Sequence, residues 1–175
     1  NASLHEVSPK EKLKLGIFEI EFISVKHSIV DGVGLAIQSP IGLIIHTGDF
    51  KISQTPFDGL MTDVNKFAMY GDKGVLLLMS DSTNVEREGY TISDQEVGKT
   101  LLKITEESKG RIIVALFASN VARIQQIIDI ARAKNKKIVF DGRSIRTNVG
   151  IARDLGHIRV PENMEIDINL SLIHI

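Results

Sequence analysis

The sequence predicts an α/β protein in two parts, and three observations predict it. Short runs with the two-residue period of a strand fill residues 1–91, and strand-length and helix-length segments alternate over 92–169. The charge also changes sign along the chain. Residues 1–108 hold 10 Lys/Arg against 16 Asp/Glu, whereas residues 109–160 hold 11 against 3. A net charge of −1 for all 175 residues argues against a nucleic-acid binder. Divided, a cationic segment beside an acidic one suits a polyanion running over the first towards metal held by the second. The same cations also suit solvated helix faces that point several ways.

Composition excludes several classes. Hydrophobic content of 43% is ordinary, and no apolar run approaches membrane-spanning length. No cysteine is present, so disulfides and thiolate zinc sites are ruled out. With no basic-plus-apolar leader at the start, the cytoplasm is the default expectation.

Asn1 to Lys14 is polar and leads into a first strand from Phe18 to Val25, where Phe18, Ile20 and Phe22 alternate with Glu19 and Glu21. That alternation is the period of a half-buried strand, and it stops at His27. Val33–Gln38 and Leu43–His46 are two further strands, joined by a turn at Ser39-Pro40-Ile41-Gly42; the second stops just before Asp49. Residues 52–62 read as a loop. Asp63 caps a short helix that Gly71 ends, and Val75–Met79 reads as a buried strand that delivers Ser80-Asp81-Ser82-Thr83-Asn84 at its end. Ser93-Asp94-Gln95-Glu96 is a capping box opening a helix to about Ser108. Then come a strand from Arg111 to Phe117, a helix from Asn120 to Lys134, a strand from Lys137 to Phe140 and a helix from Ser144 to Leu155. Strand, helix and strand with short links make a βαβ unit, so these strands are expected to be parallel.

Three polar residues thus stand where strands run out: His27, Asp49 and Asp81. A neutral imidazole and a carboxylate suit a borderline divalent ion such as zinc, and a carboxylate can bridge two ions. By spacing alone, a loop histidine is equally an ordinary hydrogen-bonded residue, and Gly-Asp after a strand an ordinary turn. Asp81, like Asp49, follows a strand on a rigid sheet, which favours a site over a simple cap. In the second half, Ser119 and Asn120 sit between a strand and a helix start, with Arg123 one turn in, and Arg143 and Ser144 occupy a similar turn. Free amides and the helix dipole make such turns anion sites, although Ser and Asn are also the commonest caps.

Five ordered motifs carry a resemblance: His-Ser-Ile-Val-Asp-Gly from His27, His-Thr-Gly-Asp-Phe-Lys from His46, Ser-Asp-Ser-Thr-Asn from Ser80, Phe-Ala-Ser-Asn from Phe117 and Gly-Arg-Ser from Gly142. Together they resemble ribonuclease J over about Val7 to Asn169. The resemblance implies a partial metallo-β-lactamase αββα sandwich over 1–91, followed by a parallel α/β β-CASP domain over 92–169. It implies a zinc-dependent ribonuclease with 5′-to-3′ exonuclease and endonuclease action in RNA processing and decay. By the same resemblance His27 is a metal ligand, Asp49 a carboxylate bridging two zinc ions, and Asp81 the acid of β-CASP motif A, supporting the proton network. Ser119, Asn120, Arg143 and Ser144 are then the substrate contacts. RNA is the implied partner, no membrane is involved, and the full-length enzyme is expected to be a homo-oligomer.

The departures matter too. No pair among the five histidines has the spacing of a His-x-His-x-Asp-His ligand motif, and family members often carry a His where this chain has Ala122. The chain therefore reads as an internal piece of a longer enzyme, inactive and weak in zinc binding when isolated. Its last six residues, 170–175, fit nothing before them and read as a non-native tail that includes His174. The rival readings are a non-catalytic nucleic-acid-binding module and a small-molecule hydrolase of the same fold.

Overall fold

The computed structural model describes residues 3–53, 59 and 61–168, so the expected tail at 170–175 lies outside the described residues. Two compact units emerge. One comprises 1–27, 31–54 and 60–90, and the other 28–30, 55–59 and 91–175. The architecture is mixed α/β, with one five-stranded sheet and four helices among the described residues.

The first unit is built on that sheet, in the order β1 (Lys12–Leu15), β2 (Phe18–Ser24), β3 (Val33–Ser39), β4 (Gly42–His46) and β5 (Leu77–Met79). β1 to β4 are antiparallel neighbours, and β5 joins β4 in parallel, with Ile45 opposite Leu78. The strand β1 is unforeseen, although Lys-Leu-Lys-Leu has a strand's alternation. It folds back on β2 through Gly16, whose φ is 59°. Between β4 and β5 the chain forms α1 (Val64–Lys73), opened by Asp63, whose side chain accepts the Lys66 amide at 3.0 Å. The helix runs past Gly71 and stops at Gly74, where φ is 89°. A glycine inside a helix weakens it by only about 1 kcal/mol and need not end it.

Helix α1 covers one sheet face. Ile23, Ala36, Leu43 and Ile45 are buried there with Tyr70, and Phe67 packs against them. Glu21 belongs to this buried set, so the face of β2 expected in solvent is the inner one. Its carboxylate is tolerated because Tyr70 donates to Oε2 at 2.5 Å and the Lys66 ammonium lies 2.5 Å from Oε1. Burial pushes the Glu21 carboxyl up, but Lys66 and Tyr70 outweigh it and hold it below the ordinary glutamate range. The opposite face carries the residues expected to be buried: Phe18 is 40% exposed, and Ile20 and Phe22 are half-buried. β5 departs from expectation as well. Leu77, Leu78 and Met79 are 48–61% exposed, and among the described residues β5 is hydrogen-bonded to β4 alone.

The second unit is built from α2 (Asp94–Glu107), α3 (Val121–Ala133) and α4 (Arg143–Asp154). Ser93 Oγ accepts the Glu96 amide at 3.2 Å, the first of the two bonds of a capping box. Ile124, Ile128 and Ala131 of α3 are buried against Val149 and Ala152 of α4, with Ile158 and Met164 completing the cluster. The expected parallel strands differ most from what forms. Residues 111–117 form no strand among the described residues, and Ile113 and Phe117 are 89% and 85% exposed. Among the described residues, Ile138 of 137–140 pairs in an isolated parallel bridge with Glu165. An apolar run becomes a strand only when a neighbouring backbone satisfies its amides and carbonyls.

Candidate functional site

The sheet topology decides where the three strand-end residues go. β2 and β4 both run antiparallel to β3, and β5 runs parallel to β4, so the C-terminal ends of β2, β4 and β5 share one sheet edge. His27 lies three residues beyond β2, Asp49 three beyond β4 and Asp81 two beyond β5. His27 is half-buried, Asp49 exposed and Asp81 half-buried.

Hydrogen bonds lace these segments together. The Lys51 amide donates to the Lys26 carbonyl at 2.6 Å, tying the residue before His27 to the loop that carries Asp49. The Thr47 amide donates to the Met79 carbonyl at 3.0 Å, and the Asp81 amide returns to Thr47 Oγ1 at 3.0 Å. Between them Gly48 adopts a φ of 62°, and a Cβ there would sit 2.6 Å from the Val33 carbonyl oxygen. Only glycine allows β3 to approach the Thr47–Asp49 turn so closely. His46 Nδ1 accepts the Gly48 amide at 3.0 Å, so this ring nitrogen is spent within its own turn.

Asp81 is the most defined acid. Its Oδ1 accepts the Thr83 hydroxyl at 2.6 Å and the Thr83 amide at 3.0 Å. These two bonds lead in holding its carboxyl below the ordinary aspartate range, with smaller contributions from the Phe50 amide and the His27 ring. His27 and residue 50 thus act on the same carboxylate, from two different strand ends. In donor type the edge suits zinc, since it offers an imidazole from His27 and a carboxylate from Asp49. In number it falls short: among the described residues no three His, Cys, Asp or Glu side chains gather as a metal-holding group.

The substrate-side candidates lie in the second unit. Asn120 is the α3 cap, its Oδ1 accepting the Arg123 amide at 3.1 Å, and Ser119 is half-buried beside it. Arg123 stands one turn into α3. Its guanidinium bonds Asp94 at 3.0 Å and Gln126 at 2.7 Å, linking α3 to α2. Arg143 and Ser144 are exposed in the first turn of α4, whose cap residue Gly142 makes no side-chain capping bond. Asp141 bonds the Gly142 amide at 2.9 Å, placing a carboxylate at that turn. Among the described residues no strand pairing joins the segments that lead into these two turns. Among the described residues, Arg123, Arg132, Lys134, Arg146 and Arg153 pair with carboxylates.

Sequence reasoning missed Thr47 and Thr62. Both are buried at 8% exposure and hydrogen-bonded between segments. Thr47 sat inside a noted motif, whereas nothing local marks Thr62.

Comparisons with known proteins agree with the motif resemblance. Residues 109–172 match the family model described as the ribonuclease J β-CASP domain. The chain is 45% identical over 163 residues to ribonuclease J of Mycolicibacterium smegmatis, covering 93% of this chain and 29% of that protein. It is 45% identical over 157 residues to ribonuclease J of Helicobacter pylori strain J99, covering 90% of this chain and 23% of the relative. Against the ribonuclease J of a Synechocystis species it is 43% identical over 170 residues, 97% of this chain and 27% of that one. The chain therefore spans less than a third of the curated relatives it matches. A crystal structure of an Enterococcus faecalis protein of unknown function superposes with a TM-score of 0.67 at 15% identity, over 98% of this chain and 43% of that one. That likeness concerns the fold alone.

Proposed function

We propose that this chain is a segment of a ribonuclease J-type enzyme that hydrolyses RNA phosphodiester bonds, as both 5′-to-3′ exonuclease and endonuclease. The single observation that supports it most is the sheet edge, where the ends of β2, β4 and β5 carry His27, Asp49 and Asp81 on segments laced by hydrogen bonds. In this reading the first unit is part of a metallo-β-lactamase sandwich. His27 and Asp49 hold metal together with ligands from outside these residues. Two zinc ions, when bound, supply a hydroxide nucleophile and polarise the phosphoryl oxygen. Asp81 stays ionised through its bonds to Thr83 and orients a proton-transfer partner. Ser119, Asn120, Arg143 and Ser144 contact the RNA backbone. The segment alone is inactive, because His27 and Asp49 are too few to hold a metal pair. The resemblance carries with it a cytoplasmic homo-oligomer; no helix among the described residues is long and apolar enough to cross a membrane.

The test uses the full-length protein that contains this chain. Purified with zinc, it is expected to shorten a 5′-monophosphorylated RNA and to lose activity on chelation. His27→Ala and Asp49→Ala are each expected to lower kcat at least 100-fold and reduce zinc content. Unchanged cleavage in both variants refutes the reading. Salt-dependent RNA binding without cleavage by the wild type points instead to a binding module.

A further inference from the structure

We infer that two buried threonines, Thr47 and Thr62, are positioning residues that fix the spacing of His27, Asp49 and Asp81; the inference rests on the nuclease reading above. Thr62 stands immediately before the Asp63 cap of α1. Its hydroxyl donates to the Lys51 carbonyl at 2.9 Å and accepts the Lys26 amide at 2.9 Å. Lys26 precedes His27, and Lys51 follows Asp49 by two residues. With the Lys51 amide donating to the Lys26 carbonyl at 2.6 Å, the two chain segments and one hydroxyl close a hydrogen-bonded ring. Thr47 does the corresponding work on the other side of Asp49. Its hydroxyl donates to the Gly48 carbonyl at 2.8 Å and accepts the Asp81 amide at 3.0 Å.

Each hydroxyl uses both donor and acceptor capacity, and each spans segments distant in sequence. Lys26 and Thr62 are 36 residues apart, Thr62 and Lys51 are 11, and Thr47 and Asp81 are 34. A bond within one turn shapes that turn, whereas a bond between segments sets the distance between them. Ser39 supplies the contrast: it is also buried, at 6% exposure, but its hydroxyl serves only the β3–β4 turn, bonding Gly42 at 2.7 Å and Ile41 at 3.3 Å. The three segments joined by Thr47 and Thr62 are the three that carry the polar strand ends. Groups that orient metal ligands typically change metal affinity by about 10- to 100-fold when removed.

Valine matches threonine in shape without the hydroxyl, and serine keeps the hydroxyl without the methyl, so the pair separates hydrogen bonding from packing. In the full-length protein, Thr62→Val and Thr47→Val are expected to weaken zinc binding about 10- to 100-fold, read by competition with a chromophoric chelator. They are expected to lower kcat on a 5′-monophosphorylated RNA while leaving KM within about threefold, since neither residue belongs to the proposed RNA contacts. Thr62→Ser and Thr47→Ser are expected to restore both. Ser39→Ala is the stability control, lowering the thermal midpoint with wild-type zinc affinity. If a valine variant does not fold, the alanine variant, which leaves room for a water, is read in the same way. Valine variants that behave like Ser39→Ala, less stable but with wild-type zinc affinity and kcat, overturn the inference. So do serine variants that restore neither. A wild-type protein that neither holds zinc nor cleaves RNA is a different failure: it sinks the nuclease reading itself, and the positioning role falls with it.

Discussion

Gly48→Ala separates backbone strain from steric conflict, because the chain contains its own control. Gly48 and Gly16 have nearly the same left-handed φ, 62° and 59°. At Gly16 an added Cβ meets nothing within 4 Å, whereas at Gly48 it would lie 2.6 Å from the Val33 carbonyl oxygen and 3.5 Å from its carbon. Gly16→Ala should therefore cost only the left-handed penalty, roughly 1 kcal/mol. Gly48→Ala adds a clash with the backbone of Val33, the first residue of β3, which no side-chain rotation relieves. The Val33 carbonyl must move by several tenths of an ångström, disturbing the Ser24–Val33 pair. We expect a total of about 2–4 kcal/mol, the range in which a single change of this kind reaches its upper values. Urea unfolding of both variants beside the wild type measures the difference. Equal losses for Gly16→Ala and Gly48→Ala would refute the close approach of β3 to the Thr47–Asp49 turn, and with it the placement of Asp49.

At Glu21 the carboxyl is depressed in the folded protein, so its contribution is fully present above the unfolded value of about 4.3 and lost as pH falls through the folded one. Lys66→Met is expected to cost roughly 2–4 kcal/mol at pH 7 and distinctly less at pH 3; equal urea midpoint shifts at both pH values would count against the buried pair. Thr83→Val is expected to raise the Asp81 titration towards that of a free aspartate, followed by carboxyl carbon NMR, because the leading cause of its depression is removed. An unmoved titration would show that Thr83 does not set it. Asn120→Asp keeps a good helix cap but adds a negative charge. If Asn120 contacts RNA phosphate, this variant binds RNA more weakly at unchanged stability; wild-type affinity would leave Asn120 as a cap alone. Arg143→Ala is expected to flatten the dependence of RNA affinity on salt by the equivalent of about one phosphate contact, and an unchanged slope would remove Arg143 from the interface.

The sheet edge was legible in the sequence because it rests on local signals. Each of β2, β4 and β5 is a short apolar or alternating run, and each is followed within three residues by a polar candidate: His27, Asp49 or Asp81. Which face of β2 turns inwards was not legible. Phe18, Ile20 and Phe22 outweigh Glu19 and Glu21 on any local scale. The outcome depends on Lys66 and Tyr70, more than 40 residues away, arriving over Glu21 on α1. Residues 111–117 show the same limit in reverse. Their composition is that of a strand, but strand formation is a property of a pair of backbones, and no neighbour forms among the described residues. Thr62 has no signature at all, since a hydroxyl that joins two segments can be recognised only once those segments are adjacent.

Charge follows the same logic. A net of +8 over 109–160 reads as a cationic surface only if the cations are unpaired. Arg123 meets Asp94 and Lys134 meets Glu106, both on α2, an element the sequence count assigns to the acidic half. Arg132, Arg146 and Arg153 meet Asp129, Asp141 and Glu165 within the same unit. Exposed pairs of this kind are weak, so a polyanion can compete for Arg132, Arg146 and Arg153 at little cost. Arg123 is different: its side chain is 16% exposed, fixed by Asp94 and Gln126, and bound into the α2–α3 contact. A phosphate backbone reaching the α3 cap would therefore meet Ser119 and Asn120 without the arginine one turn in, whereas at α4 it would meet Arg143 directly. If RNA binds this unit, Arg143 rather than Arg123 carries the electrostatic part of the recognition.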